Sequence, residues 1–414
     1  SYLTIFVKIL LKATFELKLN PMSDSKYNQR GVSASKSEVH AAIKGLDKGL
    51  FPMAFCKILP DIAAGDPEWC NVMHADTAGT KTSLAYMYWK ATGKGEIWSG
   101  IVQDAIVMNL DDMACVGCLD NILLSSTIGR NKHLISGEVL SRLIGGTQDF
   151  ISKLAGFGIR IVASGGETAD VGDIVRTLDV GFTTFARLRR KDLVINDIKA
   201  GDIILGLASF GQASYEYAYN SGIGSNGLTS ARHDVLDASH LTDFPESYDP
   251  NTSKEVLYTG QYKMNDRVLL QGEEFIVGDL LTSPTRTYLP VLKSLIPAAG
   301  SQLHGVIHCT GGGQTKVGKF ISGKRVVKDN LFPVPPVFEL IQRSSGSDWK
   351  EMYQVFNMGH RMELYLDPTC DVERLISLVA DFGIEARIVG RVEEAVHNEV
   401  LIRSTMGEFS YMEE

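Results

Sequence analysis

The sequence predicts an α+β protein of two domains built on mixed sheets, and three observations carry that prediction. The chain has 414 residues, 44% hydrophobic and 22% charged, an ordinary globular composition at a length that suits two domains. In both halves, apolar runs of strand length stop at glycine turns and give way to helical spacing. A charged stretch, RLRRKDLVINDI (187–198), then separates the halves before a new apolar strand, DIILGLAS (202–209). The boundary is placed near residue 198, giving domains 22–198 and 199–414.

The elements follow in order. The apolar run in 1–20 is short and broken by Lys8 and Lys12, so it cannot span a bilayer. Residues 1–21 read as a non-native or disordered extension ahead of Met22-Ser-Asp-Ser; the other reading is an amphipathic docking helix. Val39, Ile43 and Leu46 give residues 36–49 a helical spacing. A strand from Trp69 to Met73 runs on to Asp76. Helices are expected at 82–92, 101–118 and 137–156, and strands at 121–127, 159–167 and 175–188. In the second half, 237–276 is acidic and polar and reads as a surface excursion. Residues 283–296 read as a helix with proline at its head. Residues 304–320 read as strand, glycines, helix. A strand, a helix at 372–383 and two more strands complete the chain.

The formal net charge is −8 and no basic patch stands out, so nucleic acid is excluded as a partner. No other segment is a membrane-span candidate. The six cysteines form no disulfide framework in a chain of this size. Cys115-Val-Gly-Cys118 reads as two small core residues, because a zinc site would need a second pair or nearby histidines. Reduced thiols suit a cytoplasmic protein.

Three acid-bearing turns stand out: HADTAGTK (74–81), NLDDMACVG (109–117) and SGGETADVGD (164–173), with KAGD (199–202) weaker. Acids beside apolar runs are costly unless paired or bound to cations. Each acid taken alone reads as a helix cap. Three in one half favour Mg²⁺, a hard ion that takes carboxylate and phosphate oxygens. AGTKTS and GQTKVGKF (313–320) both fail as phosphate-binding P-loops: the first has threonine before its lysine, the second Phe320 where a hydroxyl is required. Glycine runs entering helices can still present backbone N–H groups to phosphate. His304 and His308 lack a third metal partner. His308, directly before TGGG, is either structural or a proton donor or phosphate contact.

Taken together, these motifs resemble the phosphoribosylformylglycinamidine cyclo-ligase (aminoimidazole ribonucleotide synthetase) family, in a divergent branch. YNQRGVS (27–33), HADTAGTK, DAIVMNLDDMACVG (104–117), SGGETAD, GDIILGLASFG (201–211), SNGLTSAR (225–232), SPTRTY, HCTGGG and EMYQVFNMG (351–359) occur in the family's order. The resemblance implies an N-terminal domain that forms a dimeric β-barrel in a homodimer, and a C-terminal α/β sandwich domain. It implies a cytoplasmic enzyme of purine biosynthesis that uses ATP and Mg²⁺ to close formylglycinamidine ribonucleotide into an imidazole. By the same resemblance, Asp76, Asp112 and Glu167 would hold the metal. Lys81 would offset phosphate charge, with His308 and Asp112 serving catalysis. Gly79, Thr80, Gly165, Gly166, Gly311, Gly312 and Gly313 would approach the nucleotide, and Ser225, Asn226 and Arg232 the substrate or its phosphate.

The chain departs from the family pattern in four places. Asp111 stands where the family has asparagine. LFPMAFCKILPDIAAGDPEW (50–69) replaces a glycine-rich loop, and Gly224 replaces the histidine before Ser-Asn-Gly. An insertion, ASYEYAYNSGIG (213–224), precedes that motif. The competing readings are another ATP-using enzyme of the same fold, such as a thiamine-monophosphate kinase, and a non-catalytic nucleotide-binding regulator.

Overall fold

The computed structural model describes residues 29–31 and 42–412. The reading of 1–21 and residues 36–41 of the 36–49 reading lie outside the described residues. In the first half, strands β1 (Ile58–Pro60), β2 (Trp69–Thr77), β3 (Ile122–Arg130), β4 (Ile161–Asp170) and β5 (Leu178–Arg189) form one sheet, ordered β1-β2-β5-β3-β4. All neighbours are antiparallel except β3 and β4. Helices α1 (Lys81–Thr92), α2 (Ile97–Ala114) and α3 (Gly137–Ala155) cover one face. α1 stops at Gly93, whose left-handed backbone (φ 73°) lets its N–H reach Trp89 O. α2 is buried on nearly every side, as a helix enclosed between layers must be. Cys115 and Cys118, just past its end, are buried free thiols.

The sheet's covered face buries Val72, Ile122, Leu124, Val180, Phe182 and Ala186. On the other face, the register aligns Met73, Phe185, Leu123 and Val162 in one row across four strands. Met73 is 59% exposed, Leu123 45% and Val162 41%. A one-sided sheet ordinarily turns polar residues to solvent, so this row is an uncovered apolar surface. The sheet is open, ending at β1 and β4. The expected barrel is therefore not closed within one chain.

The second half holds β6 (Ile203–Ala208), β7 (Arg267–Leu270), β8 (Glu273–Ile276), β9 (Leu303–His308), β10 (Lys324–Lys328), β11 (His360–Leu366), β12 (Ala386–Glu394), β13 (Glu399–Ser404) and β14 (Gly407–Met412). β7 and β8 pair as a separate hairpin, and the others form a sheet ordered β14-β13-β10-β12-β6-β11-β9. Its helices are α4 (Leu228–Val235), α5 (Ser239–Asp243), α6 (Val277–Thr282), α7 (Leu289–Ala299), α8 (Pro336–Ser345), α9 (Trp349–Val355) and α10 (Val372–Ala380). Mixed sheets with packed helices agree with the predicted α+β class.

Two expectations are corrected. The 237–276 excursion contains α5 and the β7–β8 hairpin rather than surface loop alone. Three strands, not two, follow α10. The helix expected after the glycines is a 3₁₀ helix, Gly313–Phe320. No helix among the described residues is long and apolar enough to cross a membrane.

Candidate functional site

The two halves meet along α2, whose acids decide the chemistry of the seam. Asp104 and Asp111 lie seven residues apart, which places them on one face of the helix. That face meets residues 283–288 of the second half. Asp104 Oδ1 accepts hydrogen bonds from Thr285 N (2.7 Å) and Thr285 Oγ1 (2.5 Å). Asp111 accepts from Thr287 Oγ1 (2.7 Å) and Tyr288 N (2.9 Å). These bonds hold the backbone of 283–288 outside a helix, so the helix predicted from 283 begins only at Leu289. Asp111, which stands where the family has asparagine, thus clamps the halves together.

Lys81 opens α1 but turns inward. Its side chain is fully buried, and Nζ donates to Asp104 Oδ1 (2.8 Å) and Ser283 O (2.5 Å). Burial pushes the Lys81 pKa down and the Asp104 pKa up, while their mutual attraction opposes both shifts. The expected phosphate contact is corrected: in this structure the lysine's charge is spent inside the protein. Arg232 is corrected on the same ground. It is 5% exposed, and its Nη1 donates to Ser83 Oγ (3.0 Å) and Ser247 O (2.6 Å).

Asp112, one residue beyond the clamp, joins a different network. His308 Nδ1 lies 2.7 Å from its Oδ1, and His74 Nε2 lies 3.2 Å from its Oδ2. His74 Nδ1 is 3.1 Å from Asn109 Oδ1. Burial works to raise the Asp112 pKa, but the two histidines overcome it and hold the carboxyl well below its usual range. Burial disfavours charge on His74, yet the hydrogen bond and charge of Asp112 raise its pKa above 6.5. An ionised carboxylate only accepts, so His308 Nδ1 carries the hydrogen of that bond and Nε2 is the nitrogen left for another partner. That Nε2 is buried with no hydrogen-bond partner among the described residues. Sequence reasoning passed over His74, although its strand position, two residues from Asp76 on the same face, was a usable signal.

The three expected metal ligands do not converge. Asp76 is exposed at the end of β2, where its Oδ1 accepts from Thr77 N (2.7 Å). Glu167 shares a row with Thr77, Gly181 and Thr127, hence the face opposite Asp76 and three strands away, roughly 14 Å. Asp112 is committed to its histidines. Among the described residues no group of three or more His, Cys, Asp or Glu side chains could hold a metal ion. As a Mg²⁺ shell within one chain, these acids do not fit.

The glycines divide into two kinds. Gly79, Gly165 and Gly311 have open space where a side chain would sit, so a ligand can approach their backbone. At Gly166 and Gly313 a Cβ would strike Ser126 and the carbonyls of Tyr353 and Phe356, so these two serve packing. A Cβ on Gly312 would lie within 4 Å of Lys316. Thr80 Oγ1 meets Thr229 Oγ1 of α4 at 2.6 Å, another tie between the halves. Ser225 and Asn226 come together with Thr310 around a small pocket. Asn357 fixes its frame: Nδ2 donates to Gly222 O (2.8 Å), and Oδ1 accepts from Ser209 Oγ (2.7 Å) and Gly359 N (3.1 Å).

Residues 56–188 match the family model described as AIR synthase related protein, N-terminal domain, and residues 199–403 match its C-terminal domain. Curated relatives named phosphoribosylformylglycinamidine cyclo-ligase include those of Methanocaldococcus jannaschii, 28% identical over 78% of this chain and 79% of the relative, and Methanothermobacter thermautotrophicus, 29% identical over 81% and 83%. Among solved structures, the HypE–HypF complex aligns with TM-score 0.52 and 14% identity over 92% of this chain and 99% of that one. PurLQS from Thermotoga maritima aligns with TM-score 0.51 and 9% identity over 97% and 53%. At these identities the solved structures bear on fold alone.

Proposed function

This chain belongs to the AIR synthase related family, and we propose that it is an ATP-dependent cyclo-ligase that closes formylglycinamidine ribonucleotide into aminoimidazole ribonucleotide. The observation that carries the proposal is the seam, where Asp112 of the first half is bonded to His308 of the second, just ahead of the open turn at Gly311. ATP supplies the γ-phosphoryl that makes the substrate's amide oxygen a leaving group. The chain's own task is then positioning, charge compensation and proton transfer. Asp112 fixes the His308 ring and its tautomer. His308 Nε2 is the free nitrogen that takes the proton released when the substrate's amine nitrogen attacks the activated carbon. His74 holds Asp112 from its other oxygen. Lys81 acts as a positioning residue, tying α1 to Asp104 and to Ser283.

No step is routed through Mg²⁺, because the expected ligands do not converge in one chain. The exposed row of Met73, Leu123 and Val162 supports a homodimer joined through the first-half sheets, and the buried thiols suit a cytoplasmic setting. The direct test is incubation with formylglycinamidine ribonucleotide and Mg-ATP, followed by mass analysis of the nucleotide pool. Aminoimidazole ribonucleotide is the expected product. Intact substrate under conditions where the protein is folded and binds ATP would sink the proposal.

A further inference from the structure

Arg361 is 2% exposed, and no carboxylate forms an ion pair with it among the described residues. Its Nη2 donates to Arg286 O, while Nε and Nη1 are buried without partners. Among the described residues other buried cations have an acid, Lys81 with Asp104, Arg286 with Glu216 and Lys328 with Glu363, while Arg232 is held by Ser83 Oγ and Ser247 O instead. A buried charge without a counter-charge is costly. The structure also shows where one would enter. Arg361 lines a pocket with Ser225, Asn226, Thr310 and Met108, and the Ser225 hydroxyl is likewise buried and unpartnered. The pocket's volume is about 10 Å³, room for about one oxygen atom. A Cβ at residue 224 would lie 3.2 Å from Arg361 Nη1. The glycine that replaces the family's histidine therefore gives the guanidinium its place.

We propose that Arg361 and Ser225 form an oxyanion site that receives one oxygen of a phosphoryl group seated at the pocket mouth. The assignment rests on reading this seam as the substrate site, and it names a ligand contact that lies outside every motif singled out in the sequence. The Nη1 edge of the guanidinium, which faces Gly224, and the Ser225 hydroxyl can each donate one charge-assisted or neutral hydrogen bond to such an oxygen. Two phosphoryl sources share this chemistry, the ribose phosphate of the substrate and the terminal phosphate of ATP.

The test is binding of inorganic phosphate to the full chain by calorimetry and thermal melting, without turnover. Ribose 5-phosphate and ATP are run as separate arms to identify the source. Arg361→Met is expected to weaken phosphate binding about 10- to 100-fold, the worth of charge-assisted hydrogen bonds. Ser225→Ala is expected to weaken it by a smaller factor. Arg361 keeps one hydrogen bond to Arg286 O and lies over the Tyr288 ring, so melting without phosphate should fall only slightly in Arg361→Met and not at all in Ser225→Ala. If Arg361→Met does not fold, Ser225→Ala alone decides. Equal phosphate affinity in wild type and Ser225→Ala, or no phosphate binding by wild type, overturns the proposal. A folded Arg361→Met that melts far lower and binds phosphate normally overturns it as well, since that is the behaviour of a structural arginine. Loss of cyclisation by the wild type would sink the function proposed above and leave this binding result readable by itself.

Discussion

Two buried cations sit at the same seam and differ in one respect. Lys81 is neutralised by Asp104 and capped by a carbonyl, whereas Arg361 faces a small pocket with two N–H groups unanswered. The first arrangement is what a fold needs when a charge must be buried. The second suits a ligand that brings its own charge. A lysine in a glycine turn therefore says little about phosphate until its acid partner is known, and an arginine outside every motif can be the group that waits for one.

Breaking the first half of this comparison has the largest expected effect. Lys81→Met strands the Asp104 carboxylate in the interior and should cost about 3–5 kcal/mol of folding stability, measured by urea denaturation. Wild-type stability in that variant would return Lys81 to the ligand side. Asn357→Ala removes the bonds that frame the pocket and should cost about 2–3 kcal/mol, with substrate KM rising before kcat falls. A change confined to kcat would argue against a framing role.

The histidine network adds a pH-dependent contrast. His74 has a raised pKa, so its bond to Asp112 stabilises the fold fully below about pH 6.5. That stabilisation fades as the pH rises through the raised value. His74→Gln should lose about 1–2 kcal/mol at pH 6 and progressively less at higher pH. A loss independent of pH would contradict the assignment. The smallest effect on the folded chain is expected for Leu123→Glu on the exposed row. Chain stability should change by about 0.5 kcal/mol or less, while sedimentation of the proposed homodimer shifts toward monomer.

The elements were legible where a single period governs. The β5 strand and α3 came out within a few residues because their patterns of 2 and 3.6 are unbroken. Residues 283–288 read as helix in the sequence because their non-helical path is imposed by Asp104 and Asp111, far away in sequence. The fate of Lys81 was hidden for the same reason. Glu167 was grouped with Asp76 because a break in the β3–β4 register between Leu124 and Ser126, invisible in the sequence, helps set the face it takes. Arg361 gave no signal, since it lies at another register shift, between His360 and Met362. Of the site, the His308–Asp112 pair was anticipated as two separate residues, and only the packed halves reveal it as one unit.

The central claim is that this seam spends ATP to close a ring. The most direct measurement is ADP release by the full chain with Mg-ATP, with and without formylglycinamidine ribonucleotide. Release that requires the substrate and matches the imidazole product mole for mole is the predicted result. ADP release unaffected by that substrate, or release without ring closure, would contradict it.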